Sequence, residues 1–250
     1  MGLIKGGNPV LSDKSFDKVF RGSGELMTVQ GTVQKFGLMF LMVLASASFT
    51  WSMFSKGVDV SSWMWGSAIG GFVVALVITF KKEWAPYLAL AYALLEGLFL
   101  GAISAHYNAL FSQSYPGIIM QAVLLTFGTA GAMYFFYQTG ILRATPVFKK
   151  VIFTATAGIA LFYLIALVLR LFGIQMPFLH ENGLIGIGIS VVIVAVAALN
   201  LIMDFDMIEQ GARHGAPKYF EWYSAFGLMV TIVWLYLEIL RLLSKLASRD

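Results

Sequence analysis

Seven apolar stretches, each about 17–24 residues long and nearly free of charge, constrain this chain more than any other feature. They run roughly over residues 36–54, 64–80, 84–107, 117–137, 151–169, 183–203 and 222–243. An α-helix needs about 20 apolar residues to cross about 30 Å of hydrocarbon. Lipid offers backbone groups no water, so only helices and closed barrels span it. The alternating pattern of barrel strands is absent, and the expected fold is all-α: a polytopic membrane protein, a seven-transmembrane-helix bundle over residues 36–243. A polar, flexible N-terminal tail (1–35) and a short basic C-terminal tail (244–250) flank it. The second span is the shortest.

Composition agrees. Hydrophobic residues make up 59% and charged residues 12%, against about 25% charged in soluble domains, and mean hydropathy is +0.80. This excludes a soluble globular enzyme. The absence of cysteine removes thiolate chemistry, Cys-based zinc sites and iron–sulfur clusters. No HExxH, P-loop or GxSxG motif is present. His106, His180 and His214 are scattered over different segment ends without metal-ligand spacing. The expectation is therefore no enzyme and no cofactor.

Twelve of the 17 Lys and Arg residues fall on one side if the N-terminus is cytoplasmic, and five on the other. That asymmetry sets the orientation and accounts for a pI near 9.2 without nucleic acid. The basic C-terminus, with Arg241, Lys245 and Arg249, lies on the less basic side. Trp51, Trp63, Trp65, Trp84, Tyr107, Tyr115, Tyr137 and Trp222 sit near segment ends, where aromatic belts form. No early apolar h-region marks a cleavable leader. These features fit a multi-pass protein of a bacterial inner membrane. Small residues (Gly66, Gly70, Gly71, Gly128, Gly131, Gly183, Gly186, Gly188 and Ser190) are expected to serve close helix packing.

An ionisable residue inside a span costs roughly 2.5–3.5 kcal/mol, so it needs a partner or water. Glu96 lies about twelve residues from either end of the third segment, near the midplane. It is either a buried carboxyl fixing a helix contact or a cation or proton site. Asn200 and Asp204, four apart, share a helix face. Asp206 stands about 200° round from Asp204, so the two acids do different work. Glu238, three residues before Arg241, is placed for an i,i+3 ion pair. Thr231 lies deeper in the same segment.

Three runs carry a resemblance: Glu96-Gly97-Leu98-Phe99-Leu100-Gly101, Phe205-Asp206-Met207, and the closing stretch from Leu228 to Leu243. Together they resemble the transmembrane Bax inhibitor motif family, the group of Bax inhibitor-1 and bacterial YccA-type proteins. The second run is similar to the family's Tyr-Asp-Thr. The third is similar to its Leu-Tyr-Leu-Asp-Ile-Ile-Asn-Leu-Phe-Leu-Tyr-Ile-Leu-Arg-Leu-Leu. The resemblance implies a bundle with the last helix in the centre and a slow, pH-sensitive calcium leak. It also implies two aspartates, on the sixth and seventh helices, that share a proton and hold the pore closed. Anchored on Leu240-Arg241-Leu242-Leu243, Asp206 takes the first aspartate position and Thr231 the second, so the acidic pair is interrupted here. Glu238, about 10 Å further along the helix, and Glu96 remain as candidates for a second carboxyl.

The expected function is a cation leak, with calcium as the ion, the lipid bilayer as surroundings, Asp206 as gate, and Asp204 and Glu96 along the path. Oxygen ligands suit Ca²⁺. The alternative is a non-conducting regulator of a membrane-bound protease or of stress and cell-death responses. Its contact surfaces would be the tail and the 210–221 loop.

Overall fold

The computed structural model describes residues 25–173 and 183–248. Its helices are α1 (Val29–Ser55), α2 (Ser61–Phe80), α3 (Ala85–Leu110), α4 (Ile118–Gln138), α5 (Pro146–Leu171), α6 (Leu184–Arg213) and α7 (Tyr219–Ala247), with a 3-10 turn (Lys82–Trp84) before α3. All seven are long and apolar enough to cross a membrane, and among the described residues there is no strand. Local chemistry sets several ends. Thr28 caps α1 by accepting from the Gly31 amide at 2.9 Å, and Thr145 caps α5 by accepting from Phe148 at 3.2 Å. Pro146 then opens α5 at a position where a missing N–H is harmless. Gly117 enters α4 at φ +84°, a left-handed conformation that favours glycine.

The helices outrun the apolar stretches where polar residues find partners. α1 starts seven residues ahead of Phe36, because Gly31 and Thr32 are buried although the segment is polar. α6 continues ten residues past Met203, through Asp204, Asp206 and Glu209. α7 extends to Ala247, so residues 244–247 are helix instead of tail. Residues 1–24, 174–182 (with His180) and 249–250 lie outside the described residues.

The last helix is central. α7 packs on α1, α3, α4 and α6, while α2 leans on α3 and α5 chiefly on α6. The most apolar stretch of α7 is 56% buried, against 6% for α5. Buried Met229, Leu235, Ile239 and Leu240 of α7 meet Met39 and Val43 of α1, Ala89 and Ala93 of α3, and Ala197 and Leu201 of α6 in one core. The outward faces carry exposed Leu, Val, Ile and Phe, as a lipid-facing surface requires.

The tightest helix contact is α1 on α3. A Cβ on Gly97 would lie 2.8 Å from Val43 Cα, and one on Gly101 would lie 2.7 Å from the Ala47 carbonyl carbon. These two glycines, four apart, let the backbones meet as in small-xxx-small pairs. The close-packing expectation is corrected elsewhere. Gly66, Gly128, Gly131, Gly183 and Gly188 have nothing within 4 Å of a built Cβ, because their faces turn away from neighbouring helices. Gly70 and Gly71 contact α3 at ordinary distance, 3.4 Å from Leu95 Cδ1 and Glu96 Oε2 respectively.

Candidate functional site

The interface between α6 and α7 holds the most unusual polar group in the bundle. Asp204 on α6 faces Thr231 on α7. Its Oδ2 is buried without a hydrogen-bond partner among the described residues. Thr231 Oγ1 donates to the Gly227 carbonyl at 3.2 Å, and a Cβ on Gly227 would rest 3.6 Å from Met207 Cε. α6 and α7 therefore pair antiparallel, 204 beside 231 and 207 beside 227. Ser224 stands on the same α7 stripe by helical spacing. Its Oγ is fully buried and also has no hydrogen-bond partner among the described residues.

This corrects the anchoring read from sequence. Asp206 does not face Thr231. It turns to α5, where Lys149 Nζ lies 2.5 Å from Oδ2, and accepts from Gln210 Nε2 at 2.8 Å. The two-residue offset from Asp204 sends the carboxyls to different helices, as the expected 200° rotation requires. Asn200 turns to α5 as well, donating to Thr156 Oγ1 at 2.8 Å. One turn beyond Asp206, Glu209 accepts from Tyr137 of α4 at 2.5 Å and pairs with Arg213.

Glu96 lies between α3 and α2, with Oε2 against Gly71. Tyr92, one turn back on α3, lies beside it, and the Tyr92 ring meets Phe226 of α7 edge-on at 4.9 Å. Glu238, 2% exposed, accepts from Arg241 at 3.0 Å on both oxygens and from the Tyr163 hydroxyl at 2.9 Å. The i,i+3 pair expected for it is present and ties α5 to α7 through Tyr163. Asp204, Asp206, Glu96 and Glu238 thus occupy four separate neighbourhoods. Among the described residues no three His, Asp or Glu side chains are grouped to hold a metal. His106 and His214 each bond the carbonyl four residues back.

Two charged sites escaped the sequence reading. Glu221 in the first turn of α7 is fully buried. It accepts from the Thr28 amide at 2.8 Å and hydroxyl at 2.9 Å, pairs with Lys35, and has Lys218 at 3.3 Å. Beside it, Met27 donates to Ala216 O at 2.8 Å and Lys218 to Glu25 O at 3.0 Å, making a short antiparallel clip at Leu26 and Pro217. At the opposite end of α7, buried Lys245 donates to the Gly186 carbonyl and to Ser190 Oγ, both at 3.0 Å. The basic C-terminal end is therefore partly folded inward. Neither site has a sequence signature, since both pairings join residues far apart in the chain.

The fold and these sites define a polytopic membrane protein whose central helix carries the buried polar groups. The Bax inhibitor 1 like family profile matches residues 8–248, nearly the whole chain, and the chain belongs to that family. No individually curated protein and no solved structure matches it.

Proposed function

We propose that this chain is a non-enzymatic cation leak, with calcium as the transported ion and the described conformation as its closed state. The carrying observation is Asp204 Oδ2, buried at the interface with the central helix and without a hydrogen-bond partner among the described residues. A carboxyl oxygen deprived of donors inside a membrane is costly, and such residues mark ion or proton paths. Ser224 and Thr231 continue the polar stripe along α7, and hard oxygens suit Ca²⁺. Asp204 takes the gating place that the family resemblance assigned to Asp206, because it is the acid facing Thr231. Glu96 is a second acidic station, on the α2–α3 side. The N-terminus is cytoplasmic, as the Lys and Arg asymmetry favours, and the compact seven-helix size fits a bacterial inner membrane.

Calcium entry into liposomes, scanned over pH, tests this. Asp204→Asn should change the flux and flatten its pH profile, while Asp206→Asn should leave the profile's shape intact. Flux indifferent to Asp204→Asn would overturn the assignment. No flux from folded protein would overturn the leak itself.

One observation favours a regulatory role as a second reading. The clip fixes residues 25–28 against 216–218, which ties the chain just before α1 to the turn between α6 and α7. That turn offers a contact area for a membrane-bound protease. Removing residues 1–24 should abolish regulation and spare flux. Full regulation by the truncated protein would remove this reading.

A further inference from the structure

A cavity of about 330 Å³ lies between α1, α3, α4 and α7, away from Asp204. It starts near the first turn of α4, at Ile119, and reaches Phe127, eight residues on and about 12 Å deeper. That is close to the depth of one leaflet of a 30 Å hydrocarbon core. Phe40 and Phe127 line its inner end and meet edge to face at 5.4 Å. α1 and α4 otherwise barely touch, being separated along most of their length. Leu44 and Ser48 of α1 line the cavity and are exposed, so its mouth opens sideways into the bilayer.

The wall is apolar except for a few hydroxyls. Ser48 and Thr126 donate back to their own helices, to Leu44 O and Ala122 O. Ser104 of α3 and Tyr236 of α7 bond each other at 2.7 Å, and both are buried, at 6% and 9% exposed. Two hydroxyls carry two protons, and one hydrogen bond uses one of them. The other O–H has no acceptor among the described residues. A buried donor left unmade costs free energy, so the site asks for an oxygen acceptor at that level. An apolar slot with one polar handle is the usual form of a small-molecule site, and this volume is near the lower limit of such pockets.

We propose that the cavity binds one acyl chain of a bilayer phospholipid. The chain enters between α1 and α4 and runs toward Phe40 and Phe127. Its ester carbonyl accepts the spare proton of the Ser104–Tyr236 pair. The sideways mouth and the leaflet-deep slot favour a lipid already in the bilayer over a solute from water. The second chain and the headgroup stay outside.

Native mass spectrometry of the delipidated full-length protein, titrated with dioleoyl phosphatidylglycerol, tests this. Wild-type protein should hold one lipid more tightly than the rest. Combined Ser104→Ala and Tyr236→Phe should weaken that site about threefold to tenfold. Val123→Trp, which fills the slot from α4, should remove it. Circular dichroism and a single elution peak establish folding, and the hydroxyl variant carries the test if Val123→Trp does not fold. Equal lipid binding by wild type and the hydroxyl variant would overturn the proposal. So would a site that takes oleic acid and refuses the phospholipid. Calcium flux enters none of these readouts, so the outcome is independent of the leak.

Discussion

Glu221 of α7 lies against the backbone of Gly31 of α1, so closely that a Cβ on residue 31 would overlap the carboxylate. The contact joins the first and last helices at one end of the bundle, and it holds Glu221 within reach of Thr28, Lys35 and Lys218. Gly31→Ala should push the carboxylate off these donors and lower stability by about 1–3 kcal/mol. Gly37→Ala in the same helix, with nothing within 4 Å of its Cβ, should be neutral or stabilise by about 0.5–1 kcal/mol. Thermal unfolding in detergent separates the two.

The same clip carries a pH dependence. Lys218 is held above the ordinary lysine value of 10.5 by its hydrogen bond to Glu221, and further by the charges of Glu221 and Glu25. A raised folded value means the contribution is complete below the unfolded value and is lost as pH rises through the folded one. Lys218→Met should therefore lower the unfolding temperature at pH 8, with the difference from wild type shrinking as pH rises beyond the ordinary lysine value of 10.5. A gap that stays constant to the highest pH would contradict this.

α1 and α3 meet closely at Gly97 and Gly101, where a Cβ would overlap backbone atoms of Val43 and Ala47 as well as the hydroxyls of Ser46 and Thr50. Gly97→Ala and Gly101→Ala should each destabilise by about 1–3 kcal/mol or more, since overpacked backbones cannot rotate away. Gly128→Ala and Gly131→Ala on the open face of α4 should gain about 0.5–1 kcal/mol from helix propensity. Equal effects at the two pairs of sites would refute the packing described.

α5 is the least buried helix, and polar links hold it: Lys149 to Asp206, Thr156 to Asn200, and Tyr163 to Glu238 and Arg241. Lys149→Met and Asp206→Asn should each cost up to about 1 kcal/mol and add to less than their sum. Tyr163→Phe should cost about 1.5–3 kcal/mol, because its partners are charged. Arg241→Gln leaves Glu238 buried without its counter-charge and should cost about 3–5 kcal/mol. A double-mutant cycle read by chemical unfolding checks the coupling.

Seven spans, their type and most of their ends were readable because apolar length is a local property, set by bilayer thickness and by backbone hydrogen bonding. The Glu238–Arg241 pair was readable for the same reason, as three-residue spacing fixes proximity on a helix. The separation of Asp204 from Asp206 followed from helical rotation. Which of the two meets Thr231 did not, because that depends on how α6 is turned against α7. The first turn of α1 was hidden by its polar residues, whose burial comes from Glu221, 190 residues away from Gly31.

By itself, then, the sequence determined the membrane class, the helix count and the candidate intramembrane acids, all properties of single segments in lipid. The tertiary structure decided that Gly97 and Gly101 pack where Gly128 and Gly131 do not, that Glu221 and Lys245 are buried, and that among the described residues Asp204 is the acid with an orphan buried oxygen. Each of these rests on the rotation and depth of one helix against another. Packing in lipid is driven by shape and hydrogen bonding between distant segments, and no local pattern in the chain records those partners.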